Sequence, residues 1–184
     1  MIWLAAVAGL VLVVAGLLWG ARQTLFVQND FFVVRQVQIR VFGNLKESVV
    51  LAEVKAFGVD PGVSNLFAVD LGELREHLTD HVLINRAVAS RHLPDELWIE
   101  VYERRPVAQL LAPRGKLLDS RGLVLPVRSD MRTLLLPIIT GVRNAGTLTV
   151  GSVSPDPLVA ASLRLLQLKG TESYGKYLDI NLIQ

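Results

Sequence analysis

The feature that most constrains this chain is a run of nineteen uncharged residues, 2–20, near its N-terminal end. As a helix rising about 1.5 Å per residue, the run is roughly 28 Å long, close to the thickness of a bilayer's hydrocarbon core. Trp3 and Trp19 stand near its two ends, where indole rings favour the headgroup interface, and Arg22 follows. We therefore predict that residues 1–22 form a transmembrane helix surrounded by the lipid bilayer.

A cleaved signal peptide is the alternative for this segment. Its apolar region is normally only about 7–15 residues long and follows a basic stretch. Here no basic residue precedes the run, so flanking charge does not set the orientation of the helix. Taken alone, Arg22 would favour the opposite of the usual arrangement, with the rest of the chain on the cytoplasmic side. We expect a different natural start or a basic tail before Met1. A secreted protein that loses the run remains open.

Small residues form one stripe of the predicted helix, at Ala5, Gly9, Gly16 and Gly20. The last two make a GxxxG pattern, which lets two helix backbones approach closely. The stripe predicts a contact with another membrane helix. Because glycine and alanine are common in membrane helices, a plain anchor is the alternative.

Charge divides the rest of the chain. Residues 47–103 carry eleven acidic and four basic side chains, whereas residues 104–143 carry eight basic and two acidic ones. A sign change this sharp predicts a domain boundary near residues 104–106. The basic part lacks interleaved exposed aromatics, so nucleic-acid binding is not expected. The absence of cysteine excludes disulfides and thiolate chemistry.

Residues 33–105 read as a β-α-α-β-β unit. A strand over residues 33–42 is followed by helices over 47–57 and 71–81, the second with Asp70 as its N-cap. A hairpin over residues 87–105 completes the unit. Its second arm alternates with period two, which is typical of a half-buried strand, placing Leu97, Ile99 and Val101 opposite Trp98, Glu100 and Tyr102.

Residues 106–184 read as a mostly β domain with one helix, which makes the whole chain α+β. Strands are predicted over residues 107–111, 116–118, 123–127 and 177–183. The helix begins at Pro157, where a missing N–H costs nothing, and ends at Gly170. Its predicted buried face is formed by Leu158, Ala161, Leu165 and Leu168. Because a domain should not end on an unpaired strand, we expect the chain to be truncated at its C-terminus.

A series of short motifs, in this order, resembles the FtsQ/DivIB family of bacterial cell-division proteins, whose β-α-α-β-β unit is a POTRA domain. The resemblance covers nearly the whole chain. The motifs are Gly43-Asn44, Asn65-Leu66-Phe67-Ala68-Val69-Asp70, Leu93-Pro94-Asp95-Glu96-Leu97, Glu103-Arg104-Arg105-Pro106, Leu117-Leu118-Asp119-Ser120-Arg121-Gly122 and Leu136-Pro137-Ile138-Ile139-Thr140-Gly141.

The resemblance implies a bitopic scaffold of the division machinery in the bacterial inner membrane. The implied layout is a transmembrane helix at residues 1–22, a connector at 23–32, a POTRA domain at 33–105 and an incomplete FtsQ-like β domain at 106–184. The bulk of the chain would lie outside the cytoplasm and contact FtsB/DivIC-like and FtsL-like proteins. The alternative is a POTRA-containing component of a transport or secretion system, although the sequence shows no repeats and no barrel strands.

No catalytic, cofactor-binding or metal-binding pattern is evident in the sequence. His77 and His81 are spaced four apart on a helix, but Leu78 stands where zinc hydrolases of that spacing place a glutamate. We therefore expect neither an enzyme nor a small-molecule substrate. Function should reside in binding surfaces: the hairpin's first strand with Ser90, Arg91 and His92, and the last strand with Leu178, Ile180 and Leu182.

Overall fold

A computed structural model of the chain describes residues 2–112, 115–128, 135–143, 145–169 and 182–183. The chain divides into two compact units, Met1–Glu103 and Arg104–Gln184. An apolar helix is followed by a β-α-α-β-β unit, and then by short strands with one further helix. This order of elements confirms the predicted α+β fold class.

The N-terminal helix α1 spans Ile2–Arg22 and continues without a break into a π-helical turn, Gln23–Val27. A 3-10 turn follows at Asp30–Phe32. Most of the expected connector is therefore helical. In the part of the chain that the structure describes, one helical segment, Gly9–Val27, is long and apolar enough to cross a membrane.

The first unit contains a three-stranded sheet. Its strands are β1 at Gln36–Phe42, β2 at Ile84–His92 and β3 at Glu96–Glu103, in the order β1-β3-β2. The central strand β3 runs parallel to β1 and antiparallel to β2. β1 starts later than predicted because Val33 forms an isolated bridge with Asn65 instead.

Two helices, α2 at Glu47–Ala56 and α3 at Leu71–Asp80, belong to the same core as one face of this sheet. Burial along β3 alternates residue by residue, as the sequence predicts. Asp70 caps α3 through its Oδ1 atom, which accepts hydrogen bonds from the backbone N–H of Gly72 and Glu73. The bonds from Glu73 and Gly72 hold the pKa of Asp70 below its ordinary value. The core side chains include Val50, Val54, Leu74, Leu78, Leu97, Ile99 and Val101.

Glu103 is the last residue of β3 and lies at the end of the sheet where β1 also ends. Its buried carboxylate accepts hydrogen bonds from the backbone N–H groups of Asn44 and Leu45, the latter at 3.1 Å. Gly43 makes this approach possible, since its φ is +146° and an added Cβ would lie 2.5 Å from the Cβ of Glu103. Glycine is the residue that tolerates both conditions.

The second unit contains a sheet of short strands. They are β4 at Ala108–Leu110, β5 at Lys116–Leu118, β6 at Val124–Leu125, β7 at Ile138–Ile139 and β8 at Leu182–Ile183, in the order β6-β5-β4-β7-β8. The predicted last strand, residues 177–183, is described only at 182–183. Its other positions lie outside the described residues.

The helix of the second unit, α4, spans Pro157–Lys169, but the predicted buried face is wrong. Val159, Ser162 and Leu163 are buried, whereas Leu165 and Leu168 are 44% and 46% exposed. The predicted apolar stripe and the observed buried stripe both have helical spacing. The serine makes the buried stripe look polar, yet its hydroxyl donates to the Leu158 carbonyl one turn back, so burying it costs little.

A buried ion pair lies inside the second unit. Arg104 Nη1 is 2.7 Å from Asp119 Oδ2, and both side chains are at least nine-tenths buried. The other carboxylate oxygen accepts hydrogen bonds from the backbone N–H of Arg121 and Leu123, which shapes the turn between β5 and β6. Two motifs of the sequence are therefore joined in space: Glu103-Arg104-Arg105 and Asp119-Ser120-Arg121-Gly122.

Replacing Gly43 by alanine should cost about 3 kcal/mol or more in unfolding free energy, because φ strain adds to overlap with Glu103. Gly58 is the matched control: its φ is +98°, but a Cβ there meets nothing within 4 Å. Gly58→Ala should cost only about 1–2 kcal/mol. Chemical denaturation of the detergent-solubilised chain, followed by circular dichroism, measures both. Equal costs would contradict the close approach of Gly43 to Glu103.

Replacing Arg104 by methionine should cost about 3–5 kcal/mol, because it leaves the Asp119 carboxylate buried without its cation. The neighbouring Arg105 is exposed, so Arg105→Met should change the stability by less than about 0.5 kcal/mol. The same denaturation experiment compares them. Similar small effects of the two substitutions would show that the buried pair does not stabilise the fold.

Candidate interaction surfaces

The first candidate surface is the edge strand β2, which pairs with β3 on one side among the described strands. Ser90, Arg91 and His92 are all exposed at its end. The Arg91 guanidinium donates to the carbonyls of Leu66 and Val69 at 2.8 and 2.7 Å. His92 stacks on Trp98, with ring centroids 3.8 Å apart. Both long side chains therefore have partners within the unit, which the sequence did not reveal.

The second candidate surface is β8, the last strand in the order of the second sheet. Leu182 pairs with Ile138, and Ile183 pairs with Ile139, both in parallel register. Two of the residues predicted for this surface, Leu178 and Ile180, lie outside the described residues. A binding role of this edge stays a prediction.

The third candidate surface is the small-residue stripe of α1. Gly9 and Gly16 are exposed and Gly20 is half-exposed, and a Cβ built at any of them meets no atom within 4 Å in the described chain. Ala5 lies on the same helix, although its side chain is outside the described part. The helix backbone is thus accessible along this stripe, as a helix–helix contact requires.

The open face of the first sheet, which includes Trp98, Glu100 and Tyr102 of β3, carries an aromatic surface. Phe42 stacks on its register partner Tyr102 at 4.6 Å, and the Arg86 guanidinium lies 4.5 Å from the Tyr102 ring centre. Arg40 and Glu100 form an exposed pair at 3.7 Å, which contributes little to stability. The signal for this surface was the spacing of Trp98 and Tyr102 on the polar face.

An aromatic cluster joins the end of the N-terminal helix to the β-α-α-β-β unit. Phe26 lies 5.9 Å from Phe32 and 5.1 Å from Phe67, measured between ring centroids. Asn65 Nδ2 donates to the carbonyls of Phe26 and Asn29, both at 3.0 Å. The asparagine of a short motif thus fixes the helix end to the fold, a contact between distant positions that spacing alone does not predict.

The candidate metal ligands have structural partners. His77 Nε2 on α3 lies 3.3 Å from Glu53 Oε2 on α2, and His81 Nδ1 accepts the backbone N–H of Leu83. Over the described residues, no three His, Cys, Asp or Glu side chains are grouped as metal ligands. Glu100 and Glu103 lie on opposite faces of β3, so the two carboxylates do not face one another. The described part of the chain therefore presents surfaces that are suited to binding.

Comparison with known proteins gives one informative likeness. No protein-family profile matches the chain. The chain is similar to the cell division protein FtsQ of Koribacter versatilis (strain Ellin345), with 31% identity over 117 residues. The aligned part covers 62% of this chain and 33% of that protein, so the chain spans about a third of its relative's length.

Proposed function

We propose that this chain is a single-pass protein of the bacterial inner membrane that links components of the division machinery during septum formation. The observation that carries the proposal is the 31% identity over 117 residues to a protein named for cell division. An apolar helix directly before a β-α-α-β-β unit supports it, because this is the order that the resemblance to FtsQ/DivIB implies.

In this proposal the chain has four parts. Residues 1–22 cross the membrane, residues 23–32 connect, residues 33–105 form a POTRA domain, and residues 106–184 form part of an FtsQ-like β domain. The folded parts lie outside the cytoplasm. The chain acts without catalysis, by holding FtsB/DivIC-like and FtsL-like membrane proteins together through its surfaces.

The β2 edge is the proposed site of strand addition by a partner. Unpaired N–H and C=O groups on a sheet edge can accept an added strand. The Arg91 side chain donates hydrogen bonds to the carbonyls of Leu66 and Val69, and the His92 ring stacks on Trp98 on the open face. Neither long side chain needs to cover the edge backbone, and Ser90, which precedes them, is small. The last strand, with Leu178, Ile180 and Leu182, is a second proposed edge.

A proline at Arg91 tests strand addition, because the register of β2 with β3 turns the Arg91 N–H toward the open edge, whereas the Ser90 N–H faces β3. Proline removes that edge donor and cannot extend a ladder there. We expect Arg91→Pro to reduce co-isolation of FtsB/DivIC-like or FtsL-like proteins from detergent-solubilised membranes by at least about tenfold, which corresponds to a loss of about 1.4 kcal/mol.

The matched control is Arg91→Ala, which loses the same side-chain hydrogen bonds to Leu66 and Val69 but keeps the backbone N–H, and it should co-isolate the same proteins as the wild type. Circular dichroism checks that both variants fold. If folded Arg91→Pro retains every partner, binding does not use this edge. If the wild type itself isolates no division protein, the proposed function is wrong.

A further inference from the structure

The end of the N-terminal helix fixes one end of the first unit at the height of the membrane surface. The helical rod runs past Arg22 to Val27, and its last turn is closed by the Gln28 N–H bonding to Gln23 O. Whether the membrane span is residues 2–20 or Gly9–Val27, Phe26 lies within about 9 Å of the hydrocarbon boundary, since a helix rises about 1.5 Å per residue. That distance is close to the depth of the headgroup layer.

Strands β1 and β3 start at this end of the unit, and the antiparallel β2 ends there. Asn65, which bonds the Phe26 carbonyl, also bridges Val33 just before β1. The backbone N–H of Arg35 donates to the carbonyl of Asp95, in the turn between β2 and β3, at 2.8 Å. From here β1 and β3 run in parallel for about 23 Å, at about 3.3 Å per residue. Their other end carries Gly43 and Glu103.

Large apolar side chains are exposed at the helix-proximal end. Phe31 is 62% exposed, Val63 is 79% exposed and Leu93 is 62% exposed. Phe31 packs edge-on against Phe32 of the aromatic cluster. Val63 is two residues from Asn65, and Leu93 is two residues from Asp95, so each is within about 7 Å of those anchoring backbones. At the opposite end Phe42 is less exposed, at 39%, and it is stacked on Tyr102.

The charges at this end are of both signs and do not form a cationic patch: Arg22 and Arg91 line one pocket together with Asp70. Arg35 lies 3.6 Å from Asp95, and the Arg91 guanidinium is bound to two carbonyls. Asp30 and Asp60 are exposed in the same region. An anionic lipid surface therefore gains little from electrostatic attraction, whereas exposed apolar side chains next to a membrane helix favour the headgroup and acyl boundary.

We infer that the helix-proximal end of the first unit is docked on the bilayer, with Phe31, Val63 and Leu93 inserted among the lipid headgroups. This inference rests on the proposed membrane anchor. The occupant of the apolar surface is the lipid itself, because the surface is continuous with the apolar helix through the Phe26 cluster. Docking holds β2 and the open sheet face at a fixed height and orientation above the membrane.

Single-cysteine labelling tests this directly, because the chain contains no cysteine of its own. An environment-sensitive fluorophore is attached at Val63→Cys or Leu93→Cys in the full chain, reconstituted in nanodiscs of phosphatidylcholine. Lys46→Cys is the matched control, since Lys46 is exposed and adjoins Leu45 at the Glu103 end of the unit. Leu18→Cys, on the exposed apolar helix, reports insertion.

We expect blue-shifted emission and a several-fold loss of iodide quenching at positions 63 and 93, relative to position 46. Adding phosphatidylglycerol to the discs should leave this difference unchanged. If position 18 is shielded but positions 63 and 93 are quenched like position 46, docking is wrong while the anchor stands. If shielding at 63 and 93 appears only with phosphatidylglycerol, apolar insertion is wrong. If position 18 is quenched, the proposed membrane anchor fails and docking fails with it.

Discussion

The buried carboxylate of Glu103 is the interaction on which the first unit depends. It lies at the end of the central strand, where it binds the backbone N–H groups of Asn44 and Leu45 as the chain leaves β1. Gly43 allows this contact and Asn44 follows it, so two motifs separated by 59 positions form one site. The next residue, Arg104, pairs with Asp119 inside the second unit. The consecutive residues Glu103 and Arg104 thus stabilise different units. This explains why they stand where the chain changes from acidic to basic composition.

Local rules predicted much of the fold. Period-two alternation placed Leu97, Ile99 and Val101 in the core, and Asp70 was identified as a cap from its position alone. Local rules failed where a contact across the chain decides the structure. The face of α4 was misassigned because a buried serine, satisfied by its own helix, disguised the apolar stripe. The helical turns of the connector were missed because the Phe26 cluster and Asn65, which hold them, come from distant positions.

The candidate surfaces also combine features that local patterns predict with contacts that only the fold reveals. Ser90, Arg91 and His92 were placed on an exposed edge by strand pattern, but their partners, the Leu66 and Val69 carbonyls and the Trp98 ring, required the fold. The aromatic pairs on the open sheet face arise from register, with Phe42 opposite Tyr102. Surfaces of this kind suit a protein that acts by binding. They also show why the motifs of the resemblance are informative: Gly43, Asn65, Glu103, Arg104 and Asp119 each make a contact that holds the fold.

The proposed function places this chain at the site of cell division. Time-lapse fluorescence microscopy of the full-length protein, fused at its N-terminus to a fluorescent protein and expressed at native level in its own organism, measures this most directly. The expected result is a band at the future septum that appears before constriction and disappears after separation. The same fusion spread evenly around the cell envelope throughout the cycle would contradict a division role.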